Sequence, residues 1–342
     1  MYSFANDYSE GACQEVLKNL IRINNVQSAG YGEDDYCEYA SKLIKMKIGS
    51  EEMDVHFIPG GTQCNVLAIT LLKPYEAVIC ADTGHINVHE TGAVEATGHK
   101  IITVKNTNGK IIPEQIESVC IKHTDEHMVK PKMVFIANST ELGTIYTKEE
   151  LANLYRMCKK YNLYLYMDGA RLGSALVSRP NNLTLRDIYE NTDMFYIGGT
   201  KNGALLGEAF IIRNPELRPN FRYLIKQHCA MLAKARIMGV QFATLFTDDL
   251  YFKLASNANM MAQALRNMFG ELNIPMFVNS PTNQIFPIVD NALLEKIQSK
   301  YVVTIWDKYD ANHTVIRIVC SWATTKDDIK NFYKDLIEFT RY

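Results

Sequence analysis

Short apolar runs alternate with helix-length segments through the middle of the chain. Residues 55–58, 77–81, 100–104, 133–137, 163–167 and 194–197 are runs of four or five mostly apolar, β-forming residues, which predicts buried strands. The stretches 66–72, 85–97 and 148–160 lie between them and read as helices. Strands separated by helices predict an α/β fold, a mostly parallel sheet with helices on both faces. Upstream, 10–24 has Val16, Leu17, Leu20 and Ile21 at helical spacing. The turn 30–34 leads to a second helix, capped by Asp34 or Asp35, passing through Tyr39, Leu43 and Ile44 and ending near Gly49. Beyond about residue 213 the texture changes. A long helical stretch, 221–246, and a second, 249–269, precede short strands at 275–278, 284–289, 301–306 and 314–319 and a last helix at 326–340. This predicts a smaller α+β unit at the C-terminal end. The expected division is an N-terminal segment, 1–30, packing with the small domain, a large domain, 31–248, and a small domain, 249–342.

Composition narrows the partners. A length of 342 residues suits about two domains, and 47% hydrophobic residues supply ample core. The net charge of -2 argues against nucleic acid or an anionic membrane as the main partner. No apolar run has membrane-spanning length, and the first residues lack a basic region followed by an apolar one. The eight cysteines are scattered, with no Cys-x-x-Cys, and read as reduced core residues of a cytoplasmic protein.

Candidate chemistry gathers at strand ends. The run at 194–197 leads into Gly198-Gly199-Thr200-Lys201. Glycines beside a lysine leave its side chain open, and partial burial there favours the neutral amine that forms a Schiff base. One α/β unit earlier, the run at 163–167 ends in Asp168. An aspartate alone at such a point is commonly a helix N-cap. Paired with Lys201, it matches the needs of pyridoxal 5'-phosphate: a lysine to hold the aldehyde and a carboxylate to keep the ring nitrogen protonated. Gly60-Gly61-Thr62 opens a helix after a strand, which suits a phosphate. Gly61, His85, Ser139, Asp168 and Lys201 all fall at carboxyl ends of predicted strands, where ligands bind in such sheets. Arg317, inside the alternating run 315–319, either faces inward to a partner or outward to water. His85 and His89, and His123 and His127, are four apart and could share a helix face, but no third metal ligand is evident, so no metal site is expected.

Taken together these motifs resemble the fold type I (aspartate aminotransferase-like) pyridoxal phosphate enzymes, specifically the low-specificity threonine aldolases grouped with the β-eliminating lyases. The resemblance spans nearly the whole chain. It rests on Phe4-Ala5-Asn6-Asp7, Gly30-Tyr31-Gly32, Gly60 to Asn65, Asp82 to Glu90, Met167 to Leu172, Thr200-Lys201 and Arg317. It implies that Lys201 carries the cofactor, that Asp168 bonds its ring nitrogen and that Gly61, Thr62 and Thr200 hold its phosphate, with Lys234 nearby. His85 would stack on the ring, Arg171 and Arg317 would clamp the substrate carboxylate, and Asn6 would lie near the substrate. His127 would be a second histidine close to the substrate hydroxyl. Tyr31 would reach a neighbouring site in a homodimer or homotetramer with shared active sites. The implied reaction is retro-aldol cleavage of a β-hydroxy-α-amino acid, with a β-eliminating or β-replacing lyase as the alternative. The chain departs from the family at Asn6, at Ser139-Thr140-Glu141 where a Thr-His-Asn is usual, and at 228–234 where a glycine-rich run with an arginine is usual.

Overall fold

The computed structural model describes residues 1–341. In chain order the strands are β1 (Tyr2–Ser3), β2 (Asp54–Ile58), β3 (Glu76–Ala81), β4 (Lys100–Val104), β5 (Lys130–Ala137), β6 (Tyr164–Asp168), β7 (Met194–Gly198) and β8 (Glu208–Ile212), then β9 (Gln284–Ile285), β10 (Ile288–Asp290), β11 (Tyr301–Val302), β12 (Thr304–Lys308) and β13 (His313–Val319). Seven of them form the large sheet, in the order β2-β8-β7-β6-β5-β3-β4. The pairs from β7 through β4 are parallel, and β8 runs antiparallel to both its neighbours.

Every residue of β3, β7 and β8 is buried, as expected of strands covered on both faces. The strict alternation of side chains sorts these runs into two cores. Ile79, Val134, Leu165, Phe195 and Ile211 pack on one face. Val78, Met133, Tyr166, Met194 and Phe210 pack on the other. A third core, including Phe269, Ile316, Ile318 and Phe332, fills the C-terminal unit, and Phe4 from the N-terminal segment inserts into it. That segment is tied down by β1, which pairs in parallel with β11, Tyr2 opposite Tyr301. The first helix, Gln14–Ile23, goes the other way: its Val16 joins a core of the large sheet.

Local signals account for most helix ends. Asp34 Oδ1 accepts the N–H groups of Tyr36 and Cys37, and Gly49, at φ 79°, ends that helix in the left-handed conformation. Capping boxes at Thr147 and Thr325 start the helices Lys148–Lys160 and Lys326–Thr340 at the residues the pattern predicts.

Elsewhere the structure departs from the pattern. The predicted helix at 85–97 is a single turn, His85–Val88, because Thr91 and Gly92 adopt positive φ. The long helix at 221–246 is two, Phe221–Gln227 and Arg236–Phe246, interrupted at Cys229 with φ 58°. The strand predicted at 275–278 is only an isolated bridge between Met276 and Pro287. The strand at 284–289 divides into β9 and β10, and that at 301–306 into β11 and β12. Strand β8 was not foreseen, and it matters most for the site. Its antiparallel run sets Glu208, its first residue, opposite Gly198 at the carboxyl end of β7.

Candidate active site

A cavity of about 310 Å³ opens at the carboxyl ends of β5, β6 and β7. It is lined by Gly61, Thr62, His85, Asp168, Arg171, Thr200 and Lys201, so seven of the residues singled out from the sequence converge there.

Lys201 follows β7 by three residues. Burial lowers its pKa, the nearby charge of Arg171 lowers it further, and Asp7, Asp168 and Glu208 pull the other way. The net direction favours a neutral amine, the form that attacks a carbonyl. Lys201 Nζ lies 6.0 Å from the ring centre of Tyr8, which also lines the cavity.

Asp168 is fixed from three sides. Oδ1 accepts the Tyr196 hydroxyl at 2.5 Å and the Ala170 N–H at 2.9 Å, and Oδ2 accepts Asn65 Nδ2 at 3.2 Å. Asn65 is itself held by the Tyr166 hydroxyl and donates to Glu90 Oε1. The same Glu90 oxygen receives His85 Nδ1–H at 2.8 Å, which leaves Nε2 as the nitrogen free to act. A buried chain of hydrogen bonds therefore runs from His85 to Asp168, and it orients both.

Gly60 caps the helix Gly61–Ile69, whose first-turn N–H groups have no partner within the helix. A Cβ on Gly61 would lie 2.9 Å from the Tyr196 hydroxyl, so glycine is what lets this helix end approach so closely. Gly61→Ala is expected to displace Tyr196 or the turn and weaken pyridoxal phosphate binding roughly tenfold to a hundredfold. Titrating the apoprotein with cofactor checks this.

Thr200 lines the cavity, but its hydroxyl donates to Glu208 Oε1 at 2.8 Å and accepts the Gly207 N–H. Glu208 Oε2 accepts the Gly199 N–H. Burial pushes the Glu208 carboxyl up to about 7, against the pull of these donors.

Arg171 does not present an open fork. Its Nε and Nη2 bond both oxygens of Asp7, at 2.7 and 3.0 Å, and Asn283 Nδ2 donates to the same carboxylate. Burial of Asp7 alone would raise its pKa, but Arg171, Lys201 and Asn283 together hold it below the usual carboxylate range. Arg317 faces inward. It lies over the Trp306 ring and donates to the Ala5 carbonyl, while its Nε is buried without a partner among the described residues. Burial lowers its pKa, and Arg171 lowers it further.

Five predicted residues do not line the cavity: Arg317, described above, and four others. His127 is exposed in a turn that precedes β5, at the amino-terminal edge of the sheet; the cavity is at the other end of that eight-residue strand. Lys234 is exposed between two helices and does not line the cavity. Asn6 uses its side chain to accept the Tyr8 N–H and the Ser9 hydroxyl, while its neighbour Asp7 is buried and Tyr8 stands at the rim of the cavity. Tyr31, 46% exposed, borders a separate cavity beside Arg222 and His56. Sequence reasoning missed Tyr8, Tyr196 and Glu208, and it gave no role to Asp7, Asn65, Glu90 and Glu141, although these four lie within the motifs quoted above.

The donor set fits pyridoxal phosphate on structural grounds. A buried lysine, a held carboxylate, a helix start that tolerates no Cβ and the Ser139 hydroxyl, buried at the cavity without a partner, surround one space. The comparisons agree. Residues 4–292 match the family described as beta-eliminating lyase. A low specificity L-threonine aldolase from a Pseudomonas species is 30% identical over 97% of this chain and 96% of its own length. The solved threonine aldolase of Leishmania major is 44% identical, with a TM-score of 0.98 over 99% of this chain and 100% of that one. A kynurenine aminotransferase-like protein of Saccharomyces cerevisiae, at 15% identity and a TM-score of 0.76, shares the fold. The chain belongs to the beta-eliminating lyase family, fold type I enzymes that work with pyridoxal phosphate.

Proposed function

We propose that this enzyme cleaves L-threonine, L-allo-threonine and related β-hydroxy-α-amino acids to glycine and an aldehyde. The observation that carries this is the convergence of Lys201, Asp168, His85 and Arg171 on one cavity, in a chain 44% identical to a threonine aldolase. Lys201 would hold the cofactor, Asp168 would keep its ring nitrogen protonated, His85 would pack against it, and Gly61 and Thr62 would receive its phosphate. Bound there, pyridoxal phosphate supplies an electron sink for bonds broken at Cα.

The remaining work falls to the chain. Arg171 keeps Nη1 and Arg317 keeps Nε for the substrate carboxylate, and charge-assisted bonds in a buried setting favour that role. Asp7 holds the Arg171 guanidinium in place. Lys201 would also be placed to pass a proton to Cα as glycine forms.

Two or four copies sharing active sites belong to the same proposal. Tyr31 turns away from its own cavity, and Tyr8 is 56% exposed at the rim, which supports a neighbour completing the site. A reducing, cytoplasmic setting is supported by eight free cysteines. We also retain three parts, 1–30, 31–248 and 249–342; Phe4 in the C-terminal core supports the first boundary, although the first helix packs on the large sheet.

The test is an assay of purified enzyme with L-threonine and L-allo-threonine. Acetaldehyde and glycine in equal amounts are expected. Ammonia and 2-oxobutanoate in their place would overturn cleavage in favour of elimination.

A further inference from the structure

Retro-aldol cleavage needs a group that removes the proton of the β-hydroxyl, and the cavity offers few. His85 keeps Nε2 free, but it is the residue assigned above to the cofactor ring, and His127 is at the far edge of the sheet. The Asp168 oxygens are taken by Tyr196, Ala170 and Asn65. Both oxygens of Glu208 are taken by Gly199 and Thr200. Glu90 is buried behind His85 and does not line the cavity.

Glu141 differs from all of these. It follows β5 by four residues and lines the same wall as His85. Its Oε1 accepts the backbone N–H of His85 at 2.8 Å, which fixes the carboxyl beside that imidazole. With the substrate carboxylate at Arg171 and Arg317 and Cα at Lys201, the wall of His85 and Glu141 is what remains for the β-substituent.

The geometry points to Glu141 as the residue that takes the β-hydroxyl proton, a role that rests on the aldolase reading above. In the step, the substrate O–H bond breaks and its proton goes to a Glu141 oxygen. The freed pair becomes the second bond of the aldehyde carbonyl, and the Cα–Cβ bond breaks with its pair left at Cα. Cα then takes a proton by way of Lys201, which draws it from solvent, and Glu141 returns its own proton to solvent as the aldehyde leaves, so the two transfers balance. Burial pushes the Glu141 carboxyl up to about 7, and the Asp168 charge adds to this against the donors that hold it. A carboxyl poised there exchanges protons in both directions at neutral pH.

The experiment compares two reactions in holoenzyme carrying Glu141→Gln, which keeps an acceptor for the His85 N–H. Threonine cleavage needs the hydroxyl proton removed, whereas exchange of the glycine α-proton with deuterium does not. Cleavage is expected to fall about 10²- to 10⁴-fold while glycine exchange and cofactor affinity stay within about threefold, with Glu141→Asp recovering part of the loss. Cleavage within about threefold of wild type would overturn the proposal, as would a parallel loss of cleavage and exchange, which marks a structural role. A wild-type enzyme that exchanges glycine protons but cleaves no β-hydroxy amino acid would refute the aldolase reading itself, and this is visible before any variant is made.

Discussion

Lys201→Ala is expected to lower turnover by at least about 10⁴-fold, because no other amine lines the cavity. Borohydride, which fixes a Schiff-base-bound pyridoxyl group to a protein, should leave the mass of the variant unchanged while adding to the wild type at the peptide containing Lys201. Lys201→Arg sharpens the test. It restores a positive charge near Asp7, Asp168 and Glu208 but cannot give up its proton in a protein. If the lysine acted only as a cation, arginine would rescue; the expected result is that it does not. Normal turnover in either variant would end the pyridoxal phosphate reading.

Asp7→Ala is the second large effect, and it reaches stability as well as chemistry. The residue is fully buried and bonds Arg171 through both oxygens. Removing one partner of a buried ion pair strands the other, at a cost of about 3–5 kcal/mol. For a chain of this size that corresponds to a fall of roughly 4–7 °C in melting midpoint. The double variant Asp7→Ala/Arg171→Ala should recover part of the loss, since no charge is left stranded. The pH dependence follows from the depressed pKa of Asp7. A carboxylate held below its unfolded value stabilises the fold above that value, and the contribution is lost as pH falls through the folded value. The wild type should therefore lose more stability on acidification than Asp7→Asn does. Equal acid profiles would contradict the pairing. Activity should fall with stability in Asp7→Ala, because the arginine loses the group that aims it.

The parts legible in the sequence were those with a local cause. Strands β3, β5, β6 and β7 announced themselves as apolar runs because both faces of each are covered. Lys201, Asp168 and Gly61 were legible because strand ends and glycine turns place them with little help from distant residues. Strand β8 was not, since its antiparallel insertion between β2 and β7 is settled by sheet pairing rather than by any signal around Gly207. The break at Cys229 was hidden by residues that form helices readily on either side. His127 was misplaced because spacing along the chain cannot tell one edge of a sheet from the other. The buried carboxylates Glu90, Glu141 and Glu208 were invisible for a related reason. Nothing in a sequence marks a glutamate as buried until the partners that hold it, such as Asn65 and Thr200, are brought to it by the fold.

The pairing of β1 with β11 sets an order on synthesis. Tyr2 and Ser3 have no strand partner until Tyr301 and Val302 have been made. Asp7 likewise waits for Asn283, although Arg171 is made much earlier. On the ribosome the large sheet can therefore close before Asn283 is present to hold the Asp7 carboxylate that pairs with Arg171. Contacts of such long sequence separation are slow to form and expose the chain meanwhile. The first residues of the chain to be made are thus among the last to be locked into a strand.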